Sequence, residues 1–410
     1  MLTKLKETYP ALTQRNFRYF WFGQCISLIG TWMDTTGQQW LVYTLTKSAL
    51  LLGLLGVAQF GPVMCLSLFA GVFIDRYPKK NILILTQICL MLIAFALAFF
   101  VLSGHVTYWH VFGLAILLGL VNTLDQPTRQ SFMPDLVERK DLRSAIGLNS
   151  SVFNVARMVG PALAGILMAK YGAGPLFLLN GISFIPVIIA INLIRTEPHE
   201  YKRVPKKVLV EIHEGLKYVK HSVPLRSTVL CTLAVGTFVM NYNVIIPLYA
   251  GDVLKQGVGG YSFLLSCSGA GSLVGALMVA SWAKGKPRLR LLFGSAFTVS
   301  TFLTLLYLVH FLPLAAVMLA IIGFSNILFM TTANSTMQFN SDTEFRGRVM
   351  SIYSFAFLGT TPIGNLFVGG ISQKWGAGIG VLICGSISAV LIGLIIINTI
   401  IKNRTLQPGL

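Results

Sequence analysis

Eight stretches of this chain contain no Asp, Glu, Lys or Arg: 48–74, 81–124, 171–194, 227–251, 256–283, 291–341, 349–373 and 375–401. A helix needs about 20 apolar residues to cross the roughly 30 Å hydrocarbon core of a bilayer, and each stretch is long enough. Two are about twice that length and break internally, at SGHVTYWH (103–110) and VHFLP (309–313), so each reads as two helices. Two more apolar passages carry a charge in their interior: 17–44 holds Asp34 and 144–169 holds Arg157. The sum is an all-α membrane protein with twelve transmembrane helices. Composition agrees. Only 11% of residues are charged and 54% are hydrophobic, whereas a soluble domain carries about 25% charge. An ordinary soluble enzyme and a disordered chain are both excluded.

The net charge of +18 would suggest a nucleic-acid partner in a soluble protein. With the N-terminus placed inside, however, 27 of the 32 Lys and Arg fall in cytoplasmic segments, four in outer loops and one, Arg157, within the membrane. That is the positive-inside pattern for an even number of spans with both termini cytoplasmic. The charge is topogenic, its lipid partner is the anionic membrane surface, and no nucleic acid is expected. The first 20 residues show no signal peptide, so the first span is expected to stay. The six cysteines stand singly in apolar runs, without CxxC or a neighbouring His, and read as packing residues.

KYGAG at 170–174 recurs as KWGAG at 374–378, an offset of 204 in 410 residues. The same offset pairs Gly160 with Gly364, Gly165 with Gly369 and Gly71 with Gly275. This predicts two six-helix halves in parallel repeat, 1–195 and 227–410, joined by a cytoplasmic linker at 196–226, with a substrate cavity near the membrane midplane between them. Within the linker, Val208, Leu209, Ile212, Leu216 and Val219 form one apolar stripe, which marks an amphipathic helix serving as a tether or a regulatory element.

GVFIDRYPKKN at 71–81 resembles the loop signature G-x-x-x-D-R-x-G-R/K-R/K of the major facilitator superfamily. DQP at 125–127, the run 133–165, FLLNGISF at 177–184 and FRGRVMSIYS at 345–354 resemble its drug and siderophore exporters, related to enterobactin and macrolide efflux proteins. The resemblance covers nearly the whole chain and implies the major facilitator fold. It implies a cytoplasmic latch role for Gly71, Asp75, Arg76 and Lys79, and the cluster with Lys80 stands near Asp125 and Arg129 at the end of span four. Pro78 replaces the usual loop glycine, and the second half has Val279 and Ala280 where the charges would recur. Gly160, Pro161 and Gly165 resemble the antiporter motif G-x-x-x-G-P-x-x-G-G of span five, which implies export by antiport; Ala156 and Ala164 stand at two of its small positions.

Asp34 lies about 25 Å along span one and Arg157 about 17–20 Å along span five, at 1.5 Å per residue. A carboxyl at mid-span costs about 2.5–3.5 kcal/mol to insert and marks a functional position. Asp34 fits a proton carrier, with Arg157 or substrate competing for its charge. A permanently ionised pair, or a carboxyl reaching the outer interface, also fits. Arg157 can alternatively hold an anionic group in a bidentate fork. Candidate cavity residues are Gln38 on span one, Phe238, Asn241, Tyr242 and Asn243 on span seven, Asn326 and Asn334 on span ten, and Tyr353 and Phe355 on span eleven. The six histidines fall in loops or span ends, and no HExxH, GK[ST] P-loop or plausible GxSxG site occurs, so neither enzyme, metal nor cofactor is expected. The leading reading is a monomeric, proton-coupled exporter of an amphiphilic small molecule in the bacterial inner membrane, working by alternating access. A lipid or lysolipid flippase of the same fold is the second reading. A membrane-embedded enzyme or signalling scaffold is the third.

Overall fold

The computed structural model describes residues 10–74, 76–194, 208–282, 287–342 and 345–406, and among these every regular element is a helix. The first half runs α1 (Arg15–Thr46), α2 (Ala49–Ile74), α3 (Lys79–Leu102), α4 (Tyr108–Phe132), α5 (Leu142–Tyr171) and α6 (Gly174–Leu193). A short α7 (Val208–His221) follows. Then come α8 (Val223–Phe238), α9 (Tyr242–Leu248), α10 (Val258–Trp282), α11 (Leu289–Leu305), α12 (Leu312–Phe339), α13 (Arg346–Ser354), α14 (Thr361–Trp375) and α15 (Ala377–Leu406). Eleven helical passages among the described residues are long and apolar enough to cross a membrane. The 32-residue α1 brings the long passages to twelve; Asp34, Thr35, Thr36, Gln38 and Gln39 keep it more polar than the rest.

Contacts divide the chain into two units, Met1–Lys47 with Gly61–Arg203, and Ser48–Phe60 with Val204–Leu410. The dividing point in α2 is Gly61-Pro62, where proline removes a ladder hydrogen bond. The first turn of α2 is tied to α14: Ser48 Oγ and the Leu50 N–H donate to Gln373 Oε1 at 2.9 and 3.2 Å. In the first unit α1 packs on α5 and α6, and α3 on α4 and α6. Phe17, Phe20, Phe132, Val187 and Ile191 form a core cluster there.

The repeat is visible in the packing of each unit. A Cβ placed on Gly160 of α5 would lie 3.2 Å from Ile29 O and Met33 N, so this glycine lets α5 touch the backbone of α1. Its counterpart Gly364 on α14 abuts the Thr237 carbonyl and the Asn241 side chain. Thr237 follows Met33 by the same 204 residues that separate the glycines. The recurring pentapeptide also has a structural cause. Gly172 and Gly376 terminate α5 and α14 with φ of 76° and 88°, a left-handed conformation that glycine adopts without a Cβ penalty.

Candidate functional site

In the first unit, the carboxyl of Asp34 is buried at 8% exposure. Asn180 on α6 is its polar neighbour, while its Oδ1 has no hydrogen-bond partner. Gly30, one turn earlier on α1, makes room for Asn180 and Ser183, since a Cβ there would stand 2.9 Å from Asn180 Oδ1. Ser183 Oγ donates to the Asn180 carbonyl at 2.7 Å. Asp34, Asn180 and Ser183 thus form a polar patch between α1 and α6. Arg157 is half-buried, with its guanidinium over the Trp32 ring, 5.7 Å from the centroid. Trp32 in turn meets Phe153 edge to face at 5.6 Å. Ala156, Gly160 and Ala164 recur at four-residue spacing on the buried face of α5, with Pro161 and Gly165 also buried. Gln38, one turn beyond Asp34, is 2% exposed.

The basic loop engages two separate sites. Lys79 Nζ reaches Asp135 Oδ2 and the Ser131 carbonyl, both at 2.8 Å. Lys80 Nζ donates to the carbonyls of Asn192 and Ile194 at 2.8 Å, satisfying the end of α6. Asp125 instead pairs with Arg129 one turn on, and accepts Thr86 Oγ1 and Gln87 Nε2 from α3, each at 2.8 Å. Arg129 also donates to Gln24 Oε1 on α1. This cluster therefore clasps α1, α3 and α4 within one unit. Arg76 is exposed. Asp75 and the surroundings of Gly71 lie outside the described residues.

In the second unit, spans seven and eleven are both broken, where the hydropathy pattern predicts continuous helices. Span seven unwinds at Val239–Asn241 between α8 and α9, and Tyr249–Val253 forms a π-helical turn. Asn241 Nδ2 takes the Thr237 carbonyl at 2.6 Å, standing in for a backbone donor, and Pro247 removes another. Span eleven has a π turn at Phe355–Gly359, followed by Pro362. Thr360 Oγ1 donates to the Ala356 carbonyl there at 2.9 Å. Gly236 brings the two breaks together, since its Cβ position lies 3.0 Å from Ala356 O and 3.2 Å from Phe357 O.

Phe238 meets Phe367 edge to face at 5.4 Å. Asn326 is 1% exposed, with Nδ2 3.7 Å from Met240 Sδ and Oδ1 unpartnered. Tyr353 donates to the Met330 carbonyl at 3.3 Å and stacks on Phe357. Asn241 and Asn326 thus both stand at the span-seven break. Tyr242 and Asn243 are half-buried where α9 begins, and Phe355 is exposed. Asn334 lies two turns from Asn326 and accepts from Gln338. Asn365 is a further buried amide, one that the sequence does not single out. It is fully buried against Gly56, with neither amide atom hydrogen-bonded. Its signal was faint, a polar residue beside the repeat glycine Gly364. Asn180 and Ser183 sat in plain view in FLLNGISF, but nothing along the chain paired them with Asp34. Among the described residues no cluster of His, Cys, Asp and Glu suits a metal.

A parallel repeat of long membrane-crossing helices, two of them broken beside buried amides, defines the architecture of a membrane transporter rather than an enzyme. The chain belongs to the transmembrane secretion effector family of the major facilitator superfamily, whose sequence profile matches residues 6–406. It is 25% identical to the staphyloferrin A transporter of Staphylococcus aureus over 86% of this chain and 88% of that one. It is 26% identical to the multidrug efflux pump Tap of Mycolicibacterium fortuitum over 82% and 84% of the two chains. Macrolide efflux protein A of Streptococcus pyogenes is 22% identical over 90% and 93%. The fold is that of a point mutant of the nucleoside transporter NupG (TM-score 0.70, 10% identity, 94% of this chain and 99% of that one). It also matches a bacterial homolog of the human lysosomal transporter Spinster (TM-score 0.64, 15% identity, 94% and 93%).

Proposed function

We propose that this protein is a secondary active exporter that expels an amphiphilic small molecule in exchange for protons. The observation that carries the coupling is the buried Asp34 carboxyl, with Asn180 as neighbour and one oxygen without a hydrogen bond. A buried charge without full pairing is costly, so such a group takes up a proton easily and gives it back when hydration or a cation reaches it. Arg157 lies over Trp32, on another face of α1 from Asp34, and is not paired with it in this structure; we assign it as the cation that competes for the carboxyl when the helices shift. The efflux functions named for the relatives support the direction of transport and the classes of solute: a siderophore, a macrolide or another drug.

One proton entering down 100 mV releases about 2.3 kcal/mol, enough for roughly a 50-fold gradient of a neutral solute. Exchange of one proton for a monocation gains nothing from the voltage, so a neutral or anionic solute suits a single-carboxyl site. In this proposal the halves 1–195 and 227–410 alternate in access, and Asn241, Asn326 and the aromatic residues at the span-seven and span-eleven breaks contribute to recognition. Both termini face the cytoplasm of the bacterial plasma membrane, and the functional unit is a monomer.

The test uses inside-out membrane vesicles energised by respiration. Accumulation of a macrolide, an iron-free siderophore or an amphiphilic dye above vector controls, collapsing when a protonophore is added, supports the proposal. Accumulation that persists after the protonophore contradicts proton coupling, and lipid scrambling without any gradient favours a flippase.

A further inference from the structure

A groove of about 440 Å³ runs between α8 and α15, a volume in the range of small-molecule sites, roughly 300–1,000 Å³. Leu230, Ala234 and Thr237 form one wall, and Leu391, Leu394 and Asn398 the other. Leu230, Leu391 and Leu394 are 39%, 37% and 58% exposed on helices apolar and long enough to cross a membrane, a surface suited to acyl chains.

The end of the groove is not apolar. Arg226 lies one turn before Leu230 on the same stripe of α8, and Asn398 is an exposed amide on α15. The Ser227 and Thr399 hydroxyls hydrogen-bond at 2.8 Å, which fixes Arg226 and Asn398 at one level. Exposed Lys217 and Lys220 stand on the preceding α7. Among the described residues Arg226 has no carboxylate partner, although it is half-buried. From Arg226 to Thr237 the stripe extends about 16 Å at 1.5 Å per residue. A cationic mouth on an apolar slot of that length is complementary to one molecule type: a phosphate-bearing head with an acyl chain behind it.

We propose that this groove is a binding site for a single anionic phospholipid, its phosphate at Arg226 and Asn398 and one acyl chain along Leu230, Ala234 and Leu394. The site is separate from the Asp34 patch. Its inner wall includes Thr237, whose carbonyl is held by Asn241, so an occupied groove braces the flank of the span-seven break. The lipid is thus a structural partner of the broken helix.

The test is native mass spectrometry of the delipidated full-length protein, titrated with phosphatidylglycerol or with phosphatidylcholine of the same chains. One phosphatidylglycerol is retained, with phosphatidylcholine about fivefold weaker; Arg226→Gln removes that preference, since one interfacial cation contributes about fivefold in affinity. Ala234→Trp, which fills the slot, abolishes retention of both lipids, whereas Leu277→Trp on the exposed face of α10 changes neither. Equal retention of the two lipids, an unaltered Arg226→Gln protein, or displacement by inorganic phosphate alone each overturns the proposal. Should Ala234→Trp fail to fold, brominated phosphatidylglycerol must quench the fluorescence added by Leu394→Trp more strongly than that added by Leu277→Trp. Equal quenching also overturns it.

Discussion

The Asp125 cluster gives the sharpest statement about stability. Asp125 is 2% exposed and accepts three side-chain donors: Thr86, Gln87 and Arg129. In Asp125→Asn the shape is kept and the charge is lost, and the three donors do not suffer equally. The Thr86 hydroxyl already lies 3.0 Å from the Leu83 carbonyl and can turn to it. The Gln87 amide can rotate, because its Oε1 has no partner to give up. Arg129 has no such recourse; it keeps neutral acceptors in Gln24 and the new amide oxygen but loses its paired carboxylate, with its side chain 20% exposed. Removing one partner of a buried pair costs about 3–5 kcal/mol, and the partial exposure of Arg129 places this case near the lower end, about 3 kcal/mol. Further substitution to Asp125→Asn/Arg129→Gln removes the stranded charge and should restore about 2 kcal/mol, within the range of measured coupling energies of about 0.5–3 kcal/mol. Reversible unfolding in a dodecyl sulfate titration, followed by tryptophan fluorescence, measures all four corners of the cycle. Wild-type stability in Asp125→Asn, or a double variant whose loss is the sum of the single losses, would refute the reasoning.

Three other outcomes follow from the same structure. Asn365→Leu should stabilise the folded protein by about 1–2 kcal/mol, because it removes two buried amide atoms that lack partners, while transport in vesicles falls if that amide serves the solute; a less stable variant contradicts this. Gly160→Val places side-chain atoms against the backbone of α1 at Ile29 and Met33 and should cost about 1–3 kcal/mol by overpacking, read as a lower melting midpoint than that of Gly113→Val, where the space is open. Alkaline phosphatase fusions should be active after the loop at 103–107 and inactive after His221, as a cytoplasmic linker requires, and the reverse pattern would invert the proposed topology.

The membrane passages and the repeat were legible in the sequence because both rest on one-dimensional signals. Charge-free runs count helices, and KYGAG with KWGAG marks two helix ends that need a glycine at positive φ. The breaks were not legible. Residues 239–241 and 355–360 are as apolar as their flanks, so hydropathy runs straight through them, and the unwinding is set by hydrogen bonds from Asn241 and Thr360 together with Pro247 and Pro362. Asp34 was legible as an anomaly in an apolar run, whereas Asn180 is an unremarkable span residue until folding sets it beside that acid. The basic loop was legible in its composition but not in its pairing: Lys79 finds Asp135, and Asp125 is served by its own helix and by α3. Spacing on one helix can be read from a sequence, but the choice between two acids on a neighbouring segment depends on packing.

The coupling proposal is tested most directly by proton flux in proteoliposomes. Reconstituted wild-type protein under an imposed proton gradient should show flux that rises when a transported macrolide, siderophore or dye is added. Asp34→Asn, with folding verified by its melting midpoint, should bind that solute and move no protons with it. Substrate-stimulated proton flux of wild-type size in Asp34→Asn would contradict the assignment of this carboxyl as the carrier.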